Sequence, residues 1–177
     1  MSASGRLDLS SFVSEIPDFP KPGIGFKDIT PLLRDPRALA QTVDELAAYA
    51  ESRDVELVVA AEARGFMLGG AVAARVGAGF IPARKPGKLP AATSHVEYVL
   101  EYGVDALEVH RDAFSGGARV LVHDDLLATG GTARALARLV EQAGAEVAGC
   151  AFAIELAFLN GREQLTGYDV HSLIVFD

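Results

Sequence analysis

The stretch Val120-Leu121-Val122-His123-Asp124-Asp125-Leu126-Leu127-Ala128-Thr129-Gly130-Gly131-Thr132 decides how this chain folds. Residues 119–123 read as a strand buried on both faces, since the run is short and mostly apolar. Two adjacent carboxylates, Asp124 and Asp125, end it. The chain then tightens through Ala128, Thr129, Gly130, Gly131 and Thr132. Residues 132–143, carrying Leu136, Leu139 and Val140, read as a helix closed by Gly144. Glycines just ahead of a helix let backbone amides turn inward at its N-terminus, making an anion pocket with threonine hydroxyls as extra donors. Paired aspartates can accept hydrogen bonds from a diol or help hold a divalent cation. One phosphate beside one ribose diol fits this layout. Asp-Asp or Gly-Gly alone would read as a plain strand–turn–helix with solvated capping charges; the whole string does not. No Gly-x-x-x-x-Gly-Lys-Ser/Thr loop occurs, so this is not a Walker-type site.

Outward from that string, short apolar runs alternate with helical patterns. Leu9, Phe12, Val13 and Ile16 fall at the spacing of a short amphipathic helix. Pro17, Pro20, Pro22, Gly23 and Gly25 then force an irregular loop. Asp35-Pro36 predicts a helix N-cap followed by proline at the first helical position, with Leu39, Val43, Leu46 and Ala50 as its apolar face. Residues 57–61 and 80–82 read as strands, with a helix over 65–76 between them. Residues 95–102 and 105–110 form a hairpin about Gly103-Val104, and residues 147–154 and 170–176 supply the last strands. This order predicts an α/β fold with a mainly parallel central sheet flanked by helices, the hairpin projecting as an insertion. We expect one domain over residues 1–177, with an N-terminal hood segment over 1–34 and the hairpin over 93–110. In such sheets ligands sit beyond the carboxyl ends of the strands, which places residues 62–65, 84–88, 124–132 and 155–158 on one rim.

Composition narrows the partners. Half of the 177 residues are apolar, ample for a buried core, and 24 acidic against 16 basic residues give a net charge of −8. That balance argues against a nucleic-acid binder held by phosphate contacts, though local cations can still receive an anionic substrate. The single cysteine, Cys150, excludes an internal disulfide or multi-cysteine metal site and reads as a core thiol. No apolar run approaches the roughly 18 residues needed to span a bilayer, and residues 1–14 carry no signal-peptide pattern, so a cytoplasmic protein is expected. The four histidines, at 95, 110, 123 and 171, lack metal-ligand spacing, and His123 reads as structural.

The string from Val120 to Thr132 closely resembles the 5-phosphoribosyl pyrophosphate (PRPP) motif of the type I phosphoribosyltransferases. Four further segments look like the adenine phosphoribosyltransferase family, in that family's order. They are Phe19-Pro-Lys-Pro-Gly-Ile-Gly-Phe-Lys-Asp-Ile-Thr-Pro31, Ala63-Arg-Gly-Phe66, Arg84-Lys-Pro-Gly-Lys-Leu-Pro90 and Tyr98-Val-Leu-Glu-Tyr-Gly103. The match runs from about residue 19 to the C-terminus. The resemblance implies a type I phosphoribosyltransferase-like fold with an N-terminal hood and a flexible hairpin loop. It implies the reaction adenine + PRPP ⇌ AMP + pyrophosphate, with Mg2+, in a purine-salvage homodimer.

Each matched residue then has an implied task. Ala128, Thr129, Gly130, Gly131 and Thr132 would cradle the 5′-phosphate, and Asp124 and Asp125 would face the ribose hydroxyls. Mg2+ would be held by PRPP or pyrophosphate and water near these aspartates, with no direct protein ligand. Ala63, Arg64 and Gly65 would approach the pyrophosphate, with a cis peptide at Glu62-Ala63. Arg84, Lys85 and Lys88 would stabilise the departing pyrophosphate, Arg84 reaching a neighbouring subunit's site. Glu101 would exchange a proton with adenine N7 while Tyr98 and Tyr102 cover the site and exclude water. Phe26 and Leu156 would sandwich the purine, and backbone groups of Gly25 and Lys27 would read its edge. Glu155, one residue before Leu156, would back the site rather than act on the substrate directly. Some positions depart from the family pattern: Ala63 often has serine, Pro86 a basic residue, Gly25 a side chain and Lys27 arginine. The alternatives are a 6-oxopurine (hypoxanthine, guanine or xanthine) phosphoribosyltransferase and a PRPP-sensing regulator without turnover. The proline-rich N-terminal segment and Leu-Glu-Tyr-Gly favour adenine, and the acidic chain disfavours a DNA-binding regulator.

Overall fold

The computed structural model describes residues 5–19, 21–23, 25–99 and 104–177. Its elements in chain order are β1 (Ser14–Ile16), β2 (Phe26–Asp28), α1 (Thr30–Arg34), α2 (Pro36–Glu51), β3 (Leu57–Ala61), α3 (Arg64–Val76), β4 (Gly79–Ala83), β5 (Thr93–Val99), β6 (Val104–His110), β7 (Arg119–Leu127), α4 (Gly131–Gln142), β8 (Glu146–Leu156) and β9 (Val170–Phe176). Short 3-10 helices cover Leu9–Phe12, Ala157–Leu159 and Gly161–Leu165. The central sheet has the order β4-β3-β7-β8-β9, and every pairing in it is parallel.

The sheet is buried on both faces, which explains its near-continuous apolar strands. One face packs against α4 and the inward side chains of the β5–β6 hairpin, including Leu136, Leu139, Val96 and Leu107. The other packs against α2 and α3 through Leu46, Leu68 and Val72, with Leu9, Ile29 and Leu32 of the N-terminal segment joining them. The helix signals hold. Asp35 accepts from the backbone amides of Arg37 and Ala38, both at 2.9 Å, and Pro36 begins α2. α3 ends where Gly77 turns left-handed at φ 72°. Pro82 lies in β4, an edge strand, where a missing amide donor is tolerated.

Two expectations need correction. The helix expected over residues 9–16 is a 3-10 turn followed by strand β1. Asp8 accepts from Ser10 N at 3.1 Å, and Val13 N closes onto Ser10 O at 3.1 Å. The backbone beyond is taken by an antiparallel ladder to β2, pairing Glu15 with Lys27. The strand expected to end at His123 runs on to Leu127. Its neighbour β8 is long enough to pair with it there, Asp124 opposite Phe152 and Leu127 opposite Glu155. On the other side β3 pairs with β7 only as far as Ala60↔His123. The two aspartates therefore stand past the end of one neighbour while still laddered to the other. The β5–β6 hairpin pairs from Thr93↔His110 to Val99↔Val104 and meets the sheet edge at the bridge Arg84↔Glu108.

Candidate active site

A cavity of about 210 Å³ opens where β3 and β7 end, and Glu62, Arg64, Lys85, Tyr98, Asp124, Asp125 and Thr132 all face it. Asp125 is buried, and its backbone amide donates to Asp124 Oδ1 at 2.9 Å. Burial and the neighbouring Asp125 charge push the Asp124 carboxyl well above the usual range, and burial raises Asp125 against the pull of Arg64. Arg64 Nε stands 3.3 Å from Asp125 Oδ2 and its guanidinium lies 5.1 Å from the centre of the Phe26 ring. The Glu62–Ala63 peptide is cis, as the resemblance implies. Gly65 fits closely here: a Cβ on it would lie 2.8 Å from Asp124 Oδ1.

Beside this cavity the chain from Leu126 to Ala133 curls around a smaller one of about 60 Å³ at the start of α4. Gly130 takes φ 85°, which only glycine adopts readily. A Cβ on Gly130 would run into the Gly161 carbonyl, and one on Gly161 into the Ala128 carbonyl. The loop from Ala128 to Thr132 is thus backed by residues far along the chain, and the first amides of α4 lie beside the pocket with no side-chain cap.

The basic loop is folded against acids. Arg84 Nε donates to Glu62 Oε2 at 3.0 Å, and the Lys85 amide donates to Glu62 Oε1 at 2.6 Å. The Lys85 ammonium is paired with Asp105 of β6. Tyr98, directly opposite Asp105 in the hairpin ladder, donates to its Oδ2 at 3.3 Å. Burial works to raise the Asp105 carboxyl, but Lys85, the Ala106 amide and Tyr98 together hold it below the usual value. Lys88 is exposed, and its carbonyl accepts from Arg84 Nη1 at 3.2 Å. Sequence reading did not single out Asp105. The available signal was a charge in register with the inward residues Leu107 and Val109. Glu101 and Tyr102 lie outside the described residues.

The residues expected around the base are held at the same end of the sheet. Lys27 Nζ pairs with Glu15 Oε2 at 2.6 Å and sits 4.4 Å from the centre of the Phe176 ring, and Phe176 is the ladder partner of Leu156. The rings of Phe26 and Phe19 meet edge to face, their centres 5.1 Å apart. The space a side chain on Gly25 would fill is occupied by Glu15, whose Oε1 would lie 2.6 Å from the added Cβ. Glu155, one residue before Leu156, is buried and accepts a two-pronged bond from Arg162, at 2.6 and 2.7 Å.

That pair gives a pH prediction. The Arg162 hydrogen bonds lower the Glu155 carboxyl below its usual 4.5. A depressed folded-state value stabilises the fold above the unfolded value, and the gain is lost as pH falls through the folded one. The melting-temperature gap between the native chain and an Arg162→Gln variant should therefore be widest near neutrality and shrink as pH falls below 4.5. Melting curves across pH 3–8 check this.

His123 is fully buried, and its Nδ1 meets the Ala151 carbonyl at 2.9 Å. Burial pushes it down to about 4, so it stays neutral and structural near neutrality. Cys150 is buried, its thiol pushed up to about 12 by burial, as a core cysteine should be. Among the described residues no helix is long and apolar enough to cross a membrane.

An acidic pair, a glycine loop at a helix start and a basic rim thus stand together at one end of a parallel sheet. The family model described as phosphoribosyl transferase domain matches residues 26–171. An adenine phosphoribosyltransferase of Thermotoga neapolitana is 54% identical over 96% of this chain and 100% of its own length. A crystal structure of the adenine phosphoribosyltransferase of Thermoanaerobacter pseudethanolicus superposes with a TM-score of 0.92 at 54% identity, covering 95% of this chain and 98% of that one. The Saccharomyces cerevisiae enzyme, crystallised with an imino-altritol bisphosphate and adenine, gives 0.89 at 36% identity over 93% and 96% of the two chains. This chain belongs to the adenine phosphoribosyltransferase family.

Proposed function

We propose that this chain makes AMP and pyrophosphate from adenine and PRPP, a purine-salvage reaction. The observation that carries the reading is the adjacency of two pockets: a small one ringed by the Ala128–Thr132 loop and a larger one bearing Asp124, Asp125, Arg64 and Lys85. In this reading the 5′-phosphate takes the loop and the ribose hydroxyls meet the aspartates. The leaving group meets Arg64, Lys85, Lys88 and the backbone of Ala63 and Gly65.

As the bond from ribose C1′ to pyrophosphate oxygen breaks, negative charge grows on the oxygen. Preplaced cations stabilise that charge more than the ground state. The purine nitrogen attacks the electron-poor ribosyl carbon and forms the new C–N bond. Phe26 and Leu156 hold the ring, backbone groups of Gly25 and Lys27 read its edge, and Glu101 exchanges the proton at N7. Tyr98 and Tyr102 cover the site and keep water from the reactive centre. Hard carboxylate oxygens at Asp124 and Asp125 suit Mg2+, held mainly through substrate and water. When bound, the ion would supply charge neutralisation for the diphosphate. Among the described residues there is no cluster of three or more acidic, histidine or cysteine ligands that could hold a metal ion. We read the enzyme as a cytoplasmic homodimer in which Arg84, here paired with Glu62 of its own chain, can turn toward a neighbouring site.

A base-competition assay tests the reading. Purified protein with PRPP and Mg2+ should form nucleotide from adenine and not from hypoxanthine, guanine or xanthine, and a chelator should abolish turnover. Product from a 6-oxopurine would move the specificity assignment while leaving the PRPP site. PRPP binding with no product from any base would favour a regulator.

A further inference from the structure

β6 carries a charge where its pattern calls for an apolar side chain. Asp105, Leu107 and Val109 share one face of the strand. Leu107 and Val109 are buried in the core beside α4, Leu107 at the edge of the active-site cavity, and Asp105 is half-buried and faces that cavity. Its Oδ2 takes the Lys85 ammonium and the Tyr98 hydroxyl, and its Oδ1 accepts the Ala106 amide at 2.8 Å. The backbone of Lys85 is fixed separately, through its amide bond to Glu62. Asp105 thus holds the ammonium and not the loop. The other acids facing the cavity have different partners: Glu62 bonds Arg84, Asp125 faces Arg64, and Asp124 accepts the Asp125 amide.

A carboxylate and a diphosphate oxygen want the same cation, and the cavity brings them to one place. We propose that Asp105 competes with the pyrophosphate group for the Lys85 ammonium, loosening every diphosphate-bearing ligand at this site and favouring departure of pyrophosphate. The inference rests on the reading of Lys85 as a pyrophosphate contact. Once displaced, Asp105 keeps the Ala106 amide and the Tyr98 hydroxyl, so its charge is not stranded. Asp105 is a tuning residue that acts through Lys85.

Calorimetric titration of the full chain with pyrophosphate, with and without Mg2+, tests it. Asp105→Asn keeps the side chain's shape and its Oδ1 acceptor while removing the competing charge. Its pyrophosphate Kd should fall by about two- to fivefold, the scale of a partly exposed ion pair, and the gap should narrow with added salt. AMP carries no diphosphate, should bind both proteins alike, and so reports that the site is folded. In a Lys85→Met background Asp105→Asn should change nothing. Unchanged or weaker pyrophosphate binding by Asp105→Asn overturns the proposal. Weakening confined to Mg2+ also overturns it, by showing that the carboxylate supports the metal–diphosphate complex. If Lys85→Met alone leaves pyrophosphate binding intact, the Lys85 assignment itself has failed, and the competition falls with it.

Discussion

A Gly130→Ala chain should lose at least about 100-fold in kcat/KM for PRPP, mostly through KM, since two lost hydrogen bonds to a charged phosphate at 1.5–3 kcal/mol each exceed that factor. The physical reason is local. Gly130 sits at φ 85°, and a Cβ there would strike the Gly161 carbonyl and come within 2.9 Å of Gln164 Cβ. Neither neighbour is the free end of a flexible side chain, so the loop must open and its amides lose their aim. Overpacking of this kind also costs about 1–3 kcal/mol of stability, which a melting curve will register. AMP shares the 5′-phosphate and should weaken in parallel, whereas pyrophosphate should bind as before. An unchanged KM for PRPP would remove the 5′-phosphate from this loop.

Arg64→Gln should lower kcat by about 10²–10³-fold, the usual cost of removing one preorganised donor from a developing negative charge. Arg64→Lys keeps the charge but not the planar fork, and should fall between the two. A second readout separates this role from general damage. Arg64 opposes the burial that raises Asp125, so its removal lifts that carboxyl further. Less of Asp125 is then ionised at a given pH, and the acid limb of kcat/KM should move to higher pH in Arg64→Gln. A loss of rate with no movement of that limb would place Arg64 away from the aspartate pair in the working enzyme.

Much of this architecture was legible because strong local signals agreed with the tertiary outcome. Residues 57–61 and 170–176 are strands within the bounds their apolar runs suggest. Asp35-Pro36 opens α2 because cap chemistry needs no distant partner. The N-terminal segment was misread because its apolar spacing fits a helix, while β2, reached only after the proline-rich loop, supplies a ladder that competes for the same backbone. The length of β7 was underestimated because it depends on the reach of β8. The PRPP-type loop was readable as a contiguous string. Asp105 was not, because a charged residue in a hairpin reads as solvated until Lys85, from another part of the chain, is seen to face it. Glu155 was legible as a rim residue beside Leu156, but its pairing was not, because its partner Arg162 carries no motif of its own.

The bridge between hairpin and sheet gives Arg84 two independent identities. Both hydrogen bonds of that bridge use its backbone: its amide donates to Glu108 O at 2.8 Å and its carbonyl accepts from Glu108 N at 2.7 Å. The guanidinium faces Glu62 instead. Mutational drift can therefore rewrite the charge at this position while leaving the hairpin hitched to the sheet, because any residue with a free amide preserves the attachment. Proline is the exception: it would cut the hitch at its amide. Architecture and chemistry are written at one position in separate alphabets, one in main chain and one in side chain, and selection can edit the second without erasing the first.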